Sequence, residues 1–121
     1  MKEIIVTGAC GGLGKAIVKR LIFEGYSVWA VARDIEQLDQ CFAGISCNSL
    51  HKYACDLSQE SELIAMVKTI ASQTGTIGGL VHCAGLNRFI PLHLIKQEQI
   101  EEMFKIHVFA AITLCSLNCT L

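Results

Sequence analysis

The sequence predicts an α/β fold, a doubly wound parallel sheet with helices on both faces. Two observations predict it. Short apolar runs rich in β-branched residues alternate with helical patterns at intervals of about 25 residues. The runs are apolar almost without interruption, as strands buried on both faces are. Strands spaced this way are joined by helical crossovers, which places them parallel and makes each crossover right-handed.

The elements follow in order. Glu3–Thr7 reads as a buried strand closed by Gly8. Gly12 to Glu24 reads as a helix with Leu13, Ile17 and Leu21 on its buried face, stopped by Gly25. Tyr26 to Ala32 is the second strand, Ile35 to Phe42 a weaker helix, and Lys52 to Cys55 a short third strand. Ser58 is the expected N-cap of the third helix, with Glu60 and Glu62 in its positive first turn. Leu63, Val67 and Ile70 form that helix's inner face, and it ends near Gly75. Gly79 to Cys83 is the fourth strand. From Gln97 onward runs a last helix, with Ile100, Phe104, Val108 and Ala111 expected to face inward.

A chain of 121 residues holds one domain. Hydrophobic residues make up 52% and charged residues 17%, a balance too apolar for disorder. The formal net charge of −1 provides no basic field for a phosphodiester backbone, so nucleic-acid binding is not expected. No apolar stretch approaches the roughly 20 residues that span a bilayer, so no membrane partner is expected. Seven cysteines include no Cys-x-x-Cys pair. Cys115 and Cys119 share a helix face, but no histidine backs them and no metal site is expected. The N-terminus runs straight into a strand, unlike a secretory signal, so a reducing cytoplasm with free thiols is the expected location.

The informative segment is Thr7-Gly8-Ala9-Cys10-Gly11-Gly12-Leu13-Gly14, which leaves a strand and opens a helix. That is the context a dinucleotide-binding turn requires. Gly8 allows the tight turn, Gly12 lets the backbone approach a pyrophosphate, and Gly14 lets the helix pack on the strand. The helix N-terminus supplies unpaired N–H donors and partial positive charge toward the anion.

This loop resembles that of the short-chain dehydrogenase/reductase family, and later segments keep the family's order. Arg33 follows the second strand, Asp56-Leu57 the third, and His82-Cys83-Ala84-Gly85 stands where the family has Asn-Asn-Ala-Gly. Ile106-His107-Val108 stands where the family has Asn between apolar residues. The resemblance covers essentially all of residues 1–121. It implies a Rossmann-like sheet cut short after about four strands in the order 3-2-1-4, forming a single incomplete domain. Glycines at 8, 11 and 14 also match the spacing of a longer, epimerase-like branch. Arg33, Asp56-Leu57 and Ala84-Gly85 favour the shorter one.

Position by position, the resemblance implies cofactor contacts from Thr7, Gly8, Cys10, Gly12, Leu13 and Gly14, and from Arg33, Asp56, Leu57, Cys83, Ala84 and Gly85. Asp56 would accept from the adenine amino group, Leu57 would cover the ring, and Cys83 is expected to pack. The position where an acidic residue would hold the ribose hydroxyls of NAD is Ala32. Arg33 beside it suits a 2′-phosphate, so NADP(H) is expected over NAD(H). Adjacent Asp34 would partly neutralise it.

The family moves a hydride between nicotinamide and a carbonyl or alcohol, using Ser and a Tyr-x-x-x-Lys pair. Here Ala30 lies four residues after Tyr26 and Leu57 four after Tyr53, so neither tyrosine has its lysine. His107, at the family Asn position, is the one catalytic candidate, as part of a proton relay. The sequence thus reads as the cofactor-binding part of a reductase, without turnover by itself. The alternatives are a non-catalytic dinucleotide-binding or interaction module and an inactive relic. The resemblance also implies a homo-oligomer through the C-terminal helix, whose apolar surface and the edge of the fourth strand lack cover.

Overall fold

The computed structural model describes residues 2–85 and 90–119. Four strands form one parallel sheet in the order β3-β2-β1-β4, as the sequence predicts. They are β1 (Glu3–Thr7), β2 (Ser27–Ala32), β3 (Leu50–Ala54) and β4 (Ile77–His82). The helices between them are α1 (Gly12–Phe23), α2 (Ile35–Cys41) and α3 (Glu60–Thr74). A long C-terminal helix is built of α4 (Gln97–Phe104), a π-helical turn (Lys105–Phe109) and α5 (Ala110–Cys119).

Alternate side chains of each strand point to opposite faces, and this divides the core in two. Ile5, Trp29 and Val31 face α3 and α5, where Leu63, Met66, Ile70 and Leu114 are buried. Ile4, Val6, Val28 and Ala30 face α1 and α2, against Val18, Leu38 and Phe42. Each fully buried Leu or Ile contributes about 1.5–3 kcal/mol of transfer free energy, so the sheet is held from both sides.

β4 starts two residues before its expected bound. Ile77 pairs with Glu3 and Gly79 with Ile4, so a register shift accommodates Gly78, where a Cβ would lie 3.1 Å from the Lys2 side chain. β3 likewise begins earlier than expected, at Leu50, and stops at Ala54.

Three expectations are corrected. Leu13 is 70% exposed, and Gly14 and Val18 are the buried positions of α1. The cause is at Gly14, where a Cβ would overlap the Gly8 carbonyl. Gly14 must face the strand, and Leu13, about 100° around the helix, turns outward. Ser58 does not cap α3, because its hydroxyl bonds Asp56 Oδ1 at 2.7 Å and Gln59 takes the N-cap position. On the last helix, Ile100, Phe104 and Val108 are exposed and Ala111 is half-buried. Ile106, Ala110 and Leu114 are the inward residues. The expected stripe exists but lies on the solvent side, because α5 packs on α3 through the other face.

Candidate functional site

The carboxyl ends of the strands open into a cleft of about 430 Å³, lined by the turn after β1, the ends of β2 and β4, the residues after β3, and Ile106 of the π-helical turn. It lies where the chain, having laid β2 and β3 on one side of β1, returns to place β4 on the other. Parallel sheets bind ligands at this reversal of strand order, because the two flanking connections part there.

The floor is the glycine corner. Gly8 has φ of +62°, and a Cβ there would lie 2.6 Å from the Ala84 nitrogen. Gly11 N–H donates to Gly8 O at 3.1 Å and closes the turn, and Ala9 N–H donates to Val31 O at 3.1 Å, tying it to β2. A Cβ on Gly12 would meet nothing within 4 Å. The protein itself therefore does not require glycine at position 12, and the open space lies at the start of α1. The first amides of a helix have no intrahelical partner, and no acidic residue occupies the first turn of α1 to compete for them. This corner is suited to an anion.

Arg33 and Gln37 form the wall past β2. Asp34 is engaged as the N-cap of α2, its Oδ1 accepting from Glu36 N–H at 2.9 Å. Asp56, expected at the site, does not itself line the cleft, although Cys55 and Leu57 on either side of it do. Its Oδ1 accepts from Ser58 Oγ at 2.7 Å and from Ser58 N–H at 3.0 Å. The Ser58 hydroxyl is the main reason its carboxyl sits below the ordinary aspartate range, opposed by partial burial and helped by the Ser58 amide and the Arg33 charge.

Two of the cysteines that line the cleft, Cys10 and Cys55, are held as thiols. Cys10 is pushed up to about 12, first by burial and then by the neighbouring Cys41 thiol. Burial, with Glu62 and Asp56 adding to it, raises Cys55 to about 11. Neither is an activated nucleophile, since the thiolate is the reactive form.

Of the residues expected at the site, Gly8, Cys10, Arg33, Leu57, Cys83, Ala84 and Gly85 line the cleft together. Gly12 and Leu13 are exposed at the start of α1, and Gly14 is buried beneath them. Thr7 is fully buried behind the wall, its oxygen accepting from Ala84 N–H at 3.3 Å. His107 sits on the π-helical turn with its ring against Gly85, so close that a Cβ on Gly85 would lie 2.5 Å from His107 Cε1. Sequence reasoning missed Gln37, Cys55 and Ile106 on the wall. Gln37 is the third residue of α2, in the first turn that follows Arg33 and the Asp34 N-cap. Among the described residues no three or more His, Cys, Asp or Glu side chains converge as a metal site, and no helix is long and apolar enough to cross a membrane.

With this geometry established, comparison places the chain in a family. Residues 2–120 match the short chain dehydrogenase family, and the chain belongs to it. It is 30% identical over 116 residues to an NADPH-dependent 1-acyldihydroxyacetone phosphate reductase of Saccharomyces cerevisiae, covering 94% of this chain and 39% of that protein. It is 31% identical over 118 residues to dehydrogenase/reductase SDR family member 11 of Homo sapiens, covering 93% of this chain and 44% of that one. The chain therefore spans less than half the length of these curated relatives. Among solved structures, a metagenomic short-chain oxidoreductase in complex with NADP superposes with a TM-score of 0.88 at 28% identity, over 98% of this chain and 55% of that one. A short-chain dehydrogenase from Streptomyces avermitilis gives a TM-score of 0.91 at 23% identity, over 99% and 45%, and so shares the fold.

Proposed function

We propose that this chain binds NADP(H) in the cleft and is the cofactor-binding part of a short-chain reductase acting on a carbonyl or alcohol. The observation that carries the reading is that Gly8, Gly11 and Arg33 line one cleft at the N-terminus of a helix whose first turn holds no acidic residue. Main-chain amides of the glycine corner would hold the diphosphate, and Arg33 the 2′-phosphate. Asp56 and Leu57 would take the adenine, and the Ala84-Gly85 backbone the nicotinamide-side ribose. When bound, the nicotinamide supplies the hydride acceptor or donor. His107, against Gly85, would hold or pass a proton at the cleft's edge. The NADPH-dependent yeast relative and the NADP complex of the metagenomic neighbour support the choice of cofactor.

Residues 1–121 contain no Tyr-x-x-x-Lys pair, so these residues alone are expected to bind and not to turn over substrate. A measurable NADPH-dependent rate from this chain would overturn the expected lack of turnover. The reading keeps a cytoplasmic location, supported by the cysteine-rich composition, and self-association through the apolar outer face of α4 and α5.

Isothermal titration with NADPH and NADH tests the cofactor assignment. NADPH is expected to bind more tightly. Arg33→Ala should weaken NADPH by about 10- to 100-fold, the range of a lost charge-assisted hydrogen bond, and leave NADH nearly unchanged. Equal losses for both, or no binding of either, would refute it.

A further inference from the structure

His82, the last residue of β4, joins elements that approach the cleft from different sides. Its Nε2 lies 3.0 Å from Ile106 O and its Nδ1 lies 2.8 Å from Thr7 Oγ1. A carbonyl oxygen can only accept, so Nε2 carries the ring proton. In the neutral ring Nδ1 then accepts, and the Thr7 hydroxyl donates to it. The Thr7 oxygen accepts in turn from Ala84 N–H at 3.3 Å. The carbonyl thus fixes a proton on Nε2, and Thr7 Oγ1 links the other ring nitrogen to the Ala84 amide. Thr7 is fully buried, and a buried hydroxyl left without its acceptor is costly.

On the helix side the bond falls inside the π-helical turn. Ala110 N–H reaches back five residues to Lys105 O, and Ile106, the next carbonyl, receives the imidazole. A side chain entering the i→i−4 ladder is an established cause of such local unwinding. The turn brings Ile106 onto the cleft wall and lays the His107 ring against Gly85.

We propose that His82 is a positioning residue for the cofactor cleft, a single imidazole that locks the Ala84-Gly85 wall to the end of β1 and to the π-helical turn. The inference rests on the reading of the cleft as a dinucleotide site. The Asn that the family resemblance expects here is too short for both tasks, because its amide ends about where Nδ1 lies. In this chain the clamp therefore spans one more link than an Asn at this position can make.

The two links can be cut separately. His82→Asn keeps a partner for Thr7 and loses Ile106, whereas His82→Gln places an amide donor near Ile106 and loses Thr7. Each is expected to weaken NADPH binding about fivefold, the order of one net hydrogen bond, and His82→Phe about 20-fold or more. His82→Asn frees Ile106 O for the ordinary helical bond from Ala110 N–H and should slow hydrogen exchange of that amide, while His82→Gln leaves it as in the wild type. Nitrogen-15 NMR of the histidine-labelled wild type should show the His82 proton on Nε2. A proton on Nδ1 in the neutral ring would overturn the proposal, as would wild-type NADPH affinity in folded Asn and Gln variants. If the Phe variant does not fold, the Asn and Gln pair still decides. If the wild type itself binds no NADPH, the dinucleotide reading fails, and the tautomer and the exchange rates still decide whether the clamp exists.

Discussion

The glycine corner and the long C-terminal helix obey opposite rules. At the corner, the absence of side chains carries the structure. Gly8 adopts a φ of +62° against the Ala84 backbone, and Gly14 lies on the Gly8 carbonyl. The positive φ of Gly8 and the contact of Gly14 with it are local demands that only glycine meets, so the motif predicts the turn, while the approach of Ala84 to Gly8 comes from the fold. Along the helix, apolar side chains occur on two faces. Ile106, Ala110 and Leu114 are buried, while Ile100, Phe104, Val108 and Ile112 are exposed. Nothing local chooses between the faces, and packing on α3 and β4 makes the choice. Backbone requirements are thus written in single residues, whereas burial is decided by neighbours.

The contrast can be broken at either end. Gly8→Ala combines a left-handed backbone with an overlap on Ala84, and should cost about 2–5 kcal/mol of stability in urea unfolding. Leu114→Ala, at a fully buried site, should cost about 2–5 kcal/mol. Ile112→Ala, where the side chain is 63% exposed, should stay within about 0.5 kcal/mol. Equal losses at 112 and 114 would mean that the helix presents a different face.

Gly12→Ala sharpens the distinction within the corner itself. An added Cβ meets nothing in the protein, so the melting temperature should hold or rise slightly. NADPH binding should nevertheless weaken by roughly tenfold or more if the diphosphate occupies that space. Calorimetry and titration on the same sample separate the two effects.

A smaller effect concerns pH. The folded pKa of Asp56 is depressed, chiefly by the Ser58 hydroxyl. Its contribution is therefore fully present above the unfolded value near 4 and is lost as pH falls through the folded value. Ser58→Ala removes the largest cause and should shift the acid-unfolding midpoint slightly upward. An unchanged midpoint would show that Ser58 does not hold the carboxylate. The smallest effect is one of ordering among thiols. Cys47, exposed and lowered by the Ser49 amide, should alkylate first near pH 8, and Cys10, raised to about 12, far later, as mass spectrometry of labelled peptides would show.

Much of this protein was legible in its residues. Alternating β-branched runs and helical periods determined four parallel strands, and the spacing Gly8, Gly12 and Gly14 marked the turn beside which the cleft forms. The order of the strands and the assignment of Arg33, Leu57 and Ala84-Gly85 came from the family resemblance, and these residues meet because the ends of parallel strands converge on one edge of the sheet. The rotation of α1 that exposes Leu13 was misread from the four-residue spacing of Leu13, Ile17 and Leu21, although Gly14, which meets the Gly8 carbonyl, already marks the inward face. The buried face of α5 was not legible, because that helix is apolar all round and offers no pattern to read. The bonds of His82 to Thr7 and Ile106 join residues 75 and 24 positions away in sequence, and only the folded chain brings them within reach. Sequence determines what one residue or one repeat period must do on its own; tertiary structure decides whatever depends on contacts between distant segments.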